Sequence, residues 1–340
     1  KQLEIIQRYR GFAYFCRKER SSDYMGNKTT STPKQQRDAH ATQHHLSSYV
    51  AKTLYGLEDV LADELEALGA SDIEIGRRMV RFRGDKRMLY LTNYRLRTAL
   101  RILKPIYEFN CESIEDLYET LRQFEWDQYL RCDQTFLIDP VVFSDRFSNS
   151  RYVSYRVKDA IADYFVANTP DGKRPSVRMD TPDVRFNIHI AQRHVTLSLD
   201  SSGDSLHKRG YKVKQTPAPL SEVLAAGILL KAGWQGQCDL IDPMCGSGTF
   251  SIEAALIARG VAAGAWRTKY AFEEWADFDA DLWREVQEDP NFETPFEHHI
   301  YASDIANDAY TVTNANVQHM GLGHDITVEH IAMQRRNAPE

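Results

Sequence analysis

The residues that could do chemistry gather in one short stretch, Asp242-Pro243-Met244-Cys245-Gly246-Ser247-Gly248. Cys238 to Ile241 reads as a short apolar strand ending in the acid. Thr249 to Arg259 reads as a helix with Ile252, Ala255, Leu256 and Ala258 on its packing face. Strand, glycine-rich turn and helix make the first βα unit of a nucleotide- or nucleoside-binding sheet. Its glycines let the backbone approach a ligand at a helix N-terminus, where unpaired N–H groups can meet it.

Three ligand classes compete for such a turn. A dinucleotide site needs a third glycine where Ser251 stands, and an acid ending a second strand about 20 residues on, which is missing. A triphosphate loop needs a Lys after the glycines, and none follows. S-adenosylmethionine (SAM) needs main-chain donors and an acidic strand end for its carboxylate and ammonium, and a second strand-end acid for its ribose diol. Asp242 supplies the first acid, and Asp304, in the strand-like segment IYASDI (300–305), supplies the second. A plain βα turn with no ligand is the competing reading, and the two strand-end acids weigh against it. Cys245 fits as a small residue filling a crowded loop rather than as a reactive thiol.

Around this turn, the chain orders itself into recognisable elements. Leu57, Val60, Leu61, Leu65 and Leu68 form one helical stripe after the strand-like YVAKT (49–53), and Gly69 stops it. DIEIG and MVRFRG read as strands, DKRMLYLTNYRL as a helix and TALRILKPIYEF as an extended segment. That order is ferredoxin-like. Next, SIEDLYETLRQF predicts a helix, and TFLIDPVVF a strand broken by Pro140. Val153, Val157, Ile161 and Phe165 recur every fourth residue, which predicts a helix. VRFNIHI and HVTLSLD alternate about Ala191-Gln192-Arg193 and predict a hairpin with one wet face, on which His189 is a surface residue. A helix is expected from Ser221, and strands at IYASD and DITVE complete the parallel set.

The chain of 340 residues carries a formal charge of −6, with 42% hydrophobic residues. No apolar run is long enough to span a membrane. Five cysteines without a CxxC pair argue against a disulfide framework or zinc site and for a reducing, cytoplasmic setting. The charge is unevenly spread. Arg77 to Lys104 holds ten Lys/Arg against the single acid Asp85, whereas Phe272 to Glu297 is acid-rich. A basic run of this kind fits either a solvated face or a polyanion site. Residues 1–48 are polar and net basic and are expected to be a disordered extension; His44–His45 within it lacks the partners of a metal site.

The string DPMCGSGTFSIEAALIA resembles the SAM-binding signature of class I RNA methyltransferases that carry an N-terminal THUMP domain. The resemblance runs back through LSLDSSGDSLHKRGYKV and APLSEVLAAG, then FSNSRYVSYRVKDAIADYF, to VAKTLYGLEDVLADELEALGA, and covers roughly residues 49–330. It is nearest the RlmL (YcbY) type, which methylates the exocyclic N2 of a guanine in large-subunit ribosomal RNA. The resemblance implies an α/β chain of four parts: a basic extension (1–48), a ferredoxin-like domain (49–105), a THUMP RNA-binding domain (106–204) and a Rossmann-like methyltransferase domain (205–340). It implies SAM as cofactor, with Asp242, Pro243, Gly246, Ser247 and Gly248 around the methionine end, Thr249 opening the helix, and Asp304 on the ribose. The implied partner is RNA, ribosomal RNA above all, with no metal and no membrane. Candidate phosphate-binding cations are Lys158, Arg178, Arg185, His207, Lys208 and Arg209. The stretch from Gly260 to Val286 reads as a helical insertion, with Trp266, Trp275 and Trp283 packing in the core rather than stacking a base.

Enzymes of this family hold the target amino group with an Asn-Pro-Pro-Tyr loop, and no such string occurs here; NAP at 337–339 lacks the second proline and the aromatic. Only three strands follow Cys238, so the methyltransferase sheet is expected to be incomplete and the chain a fragment. Two readings stand beside the ribosomal one: a transfer-RNA guanine-N2 methyltransferase, and an RNA-binding protein with a non-catalytic methyltransferase-like domain.

Overall fold

The computed structural model describes residues 46–147 and 149–336. The expected basic extension, with His44–His45, and the NAP string fall almost wholly outside them. The chain begins with β1 (Ser47–Thr53), α1 (Glu58–Ala67), β2 (Ser71–Gly76), β3 (Met79–Gly84), α2 (Lys86–Arg95) and β4 (Ala99–Asn110). It continues through α3 (Ile114–Arg122), β5 (Thr135–Phe143), α4 (Ser150–Asn168), β6 (Ser176–Val177), β7 (Val184–Ala191) and β8 (His194–Asp200). All eight strands form one sheet in the order β2-β3-β1-β4-β8-β7-β5-β6. The ferredoxin-like order βαββαβ is present, and its pairings are antiparallel.

The expected boundary at 105/106 falls inside β4. This strand is twelve residues long; Ala99 to Leu103 pair with β1, and Leu103 to Asn110 pair with β8. The two N-terminal units are therefore joined by a ladder of backbone hydrogen bonds rather than by a linker. Tyr49, Ala51, Val80, Phe82, Ile102, Leu197, Leu199, Phe186, Ile188 and Ile138 lie on the helix-covered face in one buried core. The periodic residues Val153, Val157, Ile161 and Phe165 bring α4 onto that core.

Two expectations are corrected. Pro140 does not break β5, which runs through it in parallel register with β7, Pro140 opposite Ile188. Two-residue β6 covers only Thr135 and Phe136, so β5 is an edge strand beyond them, and an edge tolerates a residue without an N–H. The hairpin's second face is also less wet than alternation predicts. Arg185, Ser198 and Asp200 on it are buried, with Arg185 paired to Asp139 at 3.2 Å and Asp200 to Arg101.

The remainder is α5 (Glu222–Lys231), β9 (Leu240–Asp242), α6 (Thr249–Ala258), α7 (Ala280–Gln287), β10 (Ile300–Asp304), α8 (Asn307–His319) and β11 (Ile326–His330). β9, β10 and β11 form a parallel sheet with β10 in the middle. The insertion between α6 and β10 turns back onto the N-terminal core. Trp283 of α7 sits edge-on to Tyr90, Tyr94, Tyr270 and Phe272, and Trp275 is buried in the same cluster, as core packing of these rings requires.

Where the two sheets' helices meet, charges are buried. Arg209 and Glu253 are 1% and 0% exposed and pair at 3.4 Å; Tyr211 also donates to Glu253 (3.1 Å). Arg97 donates to the carbonyls of Leu256 and Val261 at the end of α6, and its own carbonyl accepts from Arg209. Removing one partner leaves a buried charge uncompensated. Glu253→Ala is expected to lower the unfolding free energy by about 3–5 kcal/mol, and Arg209→Met with Glu253→Leu together by much less. Urea denaturation of the three proteins checks the difference; equal losses in single and double variants would contradict a buried pair.

Candidate cofactor site

Adjacent parallel strands β9 and β10 end side by side, with Ala302 in register with Asp242, so Asp304 reaches one pleat further. Ligands of open α/β sheets bind at this carboxyl edge. Asp242 is buried and accepts from the Ser251 hydroxyl at 2.7 Å. Burial raises its pKa to about 6, and the nearby Asp304 charge adds to the rise. Asp304 accepts from the Gly246 N–H (3.0 Å) on one oxygen and the Ala306 N–H (2.9 Å) on the other. Each of its oxygens keeps a lone pair for a further donor.

The turn between them is forced by geometry. Gly246 and Gly248 have φ of +58° and +76°. A Cβ on Gly246 would meet nothing within 4 Å, so this residue borders open space, whereas one on Gly248 would stand 2.8 Å from Thr313 Cγ2. Gly248 is also the N-cap of α6, which has no side-chain cap, leaving the helix's first N–H groups for another acceptor. Ser247 and Thr249 are buried beside it. Met244 and Ile305, 63% and 72% exposed, flank the turn with apolar surface. Cys245 is buried and its thiol is pushed up to about 12 by that burial, which makes it a packing residue.

Two residues unremarked in the sequence hold the turn from behind. Thr313 donates to the Gly246 carbonyl (2.9 Å) and accepts from the Cys245 thiol. The fully buried Asn316 amide donates to the carbonyls of Ser247 (3.0 Å) and Lys214 (2.9 Å) and accepts from the N–H groups of Val213 and Lys214. It thereby ties the segment before α5 to the glycine turn. Their only sequence signal is the spacing of three on one helix.

These residues fit SAM: a strand-end acid, open backbone at Gly246, an uncapped helix N-terminus, apolar flanks and a second acid with free lone pairs. Family models match residues 48–103 as the RlmL ferredoxin-like domain, 111–200 as a THUMP domain and 209–338 as the RMKL-like methyltransferase domain. The chain belongs to the THUMP-containing class I RNA methyltransferases. Its cofactor is SAM. Among similar solved structures is SMU.472, described as a methyltransferase complexed with SAH, at 28% identity over 87% of this chain and 78% of that one, with a TM-score of 0.77. A protein from Listeria monocytogenes described as a predicted N6-adenine-specific DNA methylase matches at 26% identity over 86% and 77% (TM-score 0.76). One from Clostridium difficile 630, described as a possible methylase, matches at 26% over 87% and 78% (TM-score 0.78).

The candidate RNA-binding cations of this methyltransferase are not gathered in one place. Arg178 is exposed after β6, and Lys158 is partly exposed on α4 beside Asp159 (3.1 Å). Lys208 is exposed and paired with Asp204 (3.1 Å). His207 is half-buried against Ser205 with its pKa lowered by burial. His207, Lys208 and the Lys212–Glu222 pair line a recess of about 450 Å³. Arg209 is corrected: its guanidinium points inward to Glu253, Leu206 and Arg97 and presents nothing to an RNA phosphate. Arg185, buried on Asp139, is spent in the same way. Among the described residues no cluster of His, Cys, Asp and Glu could hold a metal, and no helix is long and apolar enough to cross a membrane.

Gly248→Ala is expected to cost about 1–2 kcal/mol of stability, from the positive φ and the clash with Thr313. Asn316→Ala is expected to cost about 1–3 kcal/mol, because it takes the side-chain partner from four backbone groups, the Ser247 carbonyl among them buried. Thermal or urea unfolding checks both, and a neutral Asn316→Ala would remove that residue from the turn's support.

Proposed function

We propose that the chain supplies the cofactor- and RNA-binding elements for methylation of the exocyclic N2 of a guanine in large-subunit ribosomal RNA. The observation that carries this reading is the match of residues 48–103 to the RlmL ferredoxin-like domain, which shares one continuous sheet with the THUMP unit. SAM supplies an electrophilic methyl group. Asp242 faces its ammonium, and Pro243, Gly246, Ser247 and Gly248 wrap its methionine end. Thr249 offers the first N–H of α6 to its carboxylate, and Asp304 accepts from its ribose hydroxyls. Met244 and Ile305 give its apolar parts a dry surface. The guanine amino group must leave the base stack to meet the methyl. Cations of and near the THUMP unit, the exposed Arg178 and Lys208 and the partly exposed Lys158, hold backbone phosphates meanwhile.

Asp304→Ala is expected to weaken SAM binding at least tenfold in calorimetry, and unchanged binding would take Asp304 out of the site. The Asp242 carboxyl gives a pH signature. Its folded pKa of about 6 lies above the ordinary carboxylate value, so its stabilising contribution is full below that ordinary value and is lost as pH rises through about 6. A bound ammonium favours the ionised form. SAM affinity is therefore expected to fall as pH drops below about 6, with proton release on binding read from buffer-dependent enthalpies; Asp242→Asn should abolish that dependence.

The reaction is tested by nucleoside mass spectrometry of large-subunit RNA from a deletion strain. Loss of one N2-methylguanosine, restored by the gene, is expected. Loss of N2-methylguanosine from transfer RNA instead, or of an N6-methyladenosine, would overturn the substrate assignment.

A further inference from the structure

Among the described residues, the helices packed on the eight-stranded sheet lie on one face, and the other face carries, besides paired charges, a few cations outside any ion pair. Register places Lys52 on β1 opposite Met79 of β3, so that Arg81 lies one pleat along on the same face. Other cations of this face are spoken for: Arg83 by Asp72 (3.5 Å), Arg101 by Asp200, Arg185 by Asp139 (3.2 Å) and His194 by Glu108 (3.8 Å). Among the described residues, Lys52, Arg81 and the side chain of Arg78 have no carboxylate within ion-pair distance. Glu74, opposite Arg81 across β2–β3, is the nearest acid by register. The Lys52 ammonium is held below its ordinary pKa by burial and by Arg81 and Arg78. His189, on β7, is shifted down by burial and by Lys52, Arg81 and His194. Lys52, Arg81 and the His189 imidazole thus share one face of the sheet.

Further across the same face, beyond β4, β8 and β7, lies an exposed aromatic ring. Phe143 at the end of β5 is 66% exposed, and its ring stands 5.9 Å from the His189 ring. Open cations and an exposed ring spread along one sheet face are what a single nucleic-acid strand requires: charges for its phosphates and an apolar surface for a base. The span fits a strand better than one small anion. β1 and β7 are separated by β4 and β8, three strand spacings or about 14 Å.

We propose that a single-stranded segment of the substrate RNA lies across this helix-free face, with phosphates on Lys52 and Arg81 and a base against Phe143 and His189. The site spans the ferredoxin-like and THUMP units, whose strands form one sheet. This inference rests on the reading of the chain as an RNA-binding methyltransferase, but places the contact away from α4 and the SAM turn.

The test uses the full chain and a short fluorescein-labelled oligouridylate, titrated by anisotropy at several salt concentrations. Lys52→Gln with Arg81→Gln should weaken binding at least tenfold and reduce the slope of log Kd against log salt by about 1.4, roughly 0.7 per phosphate released. Phe143→Ala should weaken binding roughly fivefold to a hundredfold with the salt slope unchanged. SAM affinity should stay as in the wild type for both, which also shows that they fold. If the double variant does not fold, the exposed Phe143 decides alone. Wild-type binding of the oligonucleotide matched by both variants would overturn the sheet-face site and leave the RNA reading standing. No salt-dependent binding by the wild type would overturn both.

Discussion

Burial of three charges where the helices of the two sheets meet is the constraint on which the rest of the arrangement depends. Arg209 and Glu253 are almost wholly withdrawn from water, and Arg97 joins them through carbonyls at the end of α6. Glu64 of α1 accepts from the backbone N–H groups of Arg97 and Thr98, which fixes the start of β4. Buried ions tolerate little displacement, because each one depends on its partner to offset lost hydration. Glu253 lies on α6, the helix that opens at the glycine turn. Its position is thus set by residues from the ferredoxin-like part of the chain.

That constraint links recognition to chemistry. The turn at Gly246–Gly248 needs α6 in front of it and α8 behind, with Thr313 and Asn316 anchoring its carbonyls. β9 and β10 then bring Asp242 and Asp304 to one edge. The two acids sit in different surroundings, one buried against Ser251 and one held by backbone N–H groups. They can therefore serve different ends of one cofactor.

The local features of the site were legible in the sequence because they are local. The strand-end acid, the glycines and the following helix lie between residues 242 and 258, and their placement follows from backbone geometry. The place of Asp304 was also legible, since IYASD reads as an apolar strand closed by an acid. Thr313 and Asn316 were not, because nothing in NDAYTVTNANVQH indicates that this helix passes behind a turn some 65 residues earlier. Arg209 misled for the opposite reason. A cation in the basic string LHKRGY reads as surface, and only the packing of Glu253 against it reveals an internal ion pair.

What the sequence by itself determined is the order of elements, the helix and strand faces and the cofactor turn, all set by periodicities of two and 3.6 and by residues with restricted backbone conformations. Tertiary structure decided the rest. It made β4 a strand shared by two units and let Pro140 stand in β5 by leaving that strand an edge. It carried the acidic insertion onto the N-terminal core through Trp283 and Trp275, and it separated cations that are internally paired from the few left open. The physical reason is the same in each case. Hydrogen-bond ladders, ring packing and charge pairing join residues far apart in the chain, so a residue's neighbours in sequence do not reveal which of its bonds are already taken.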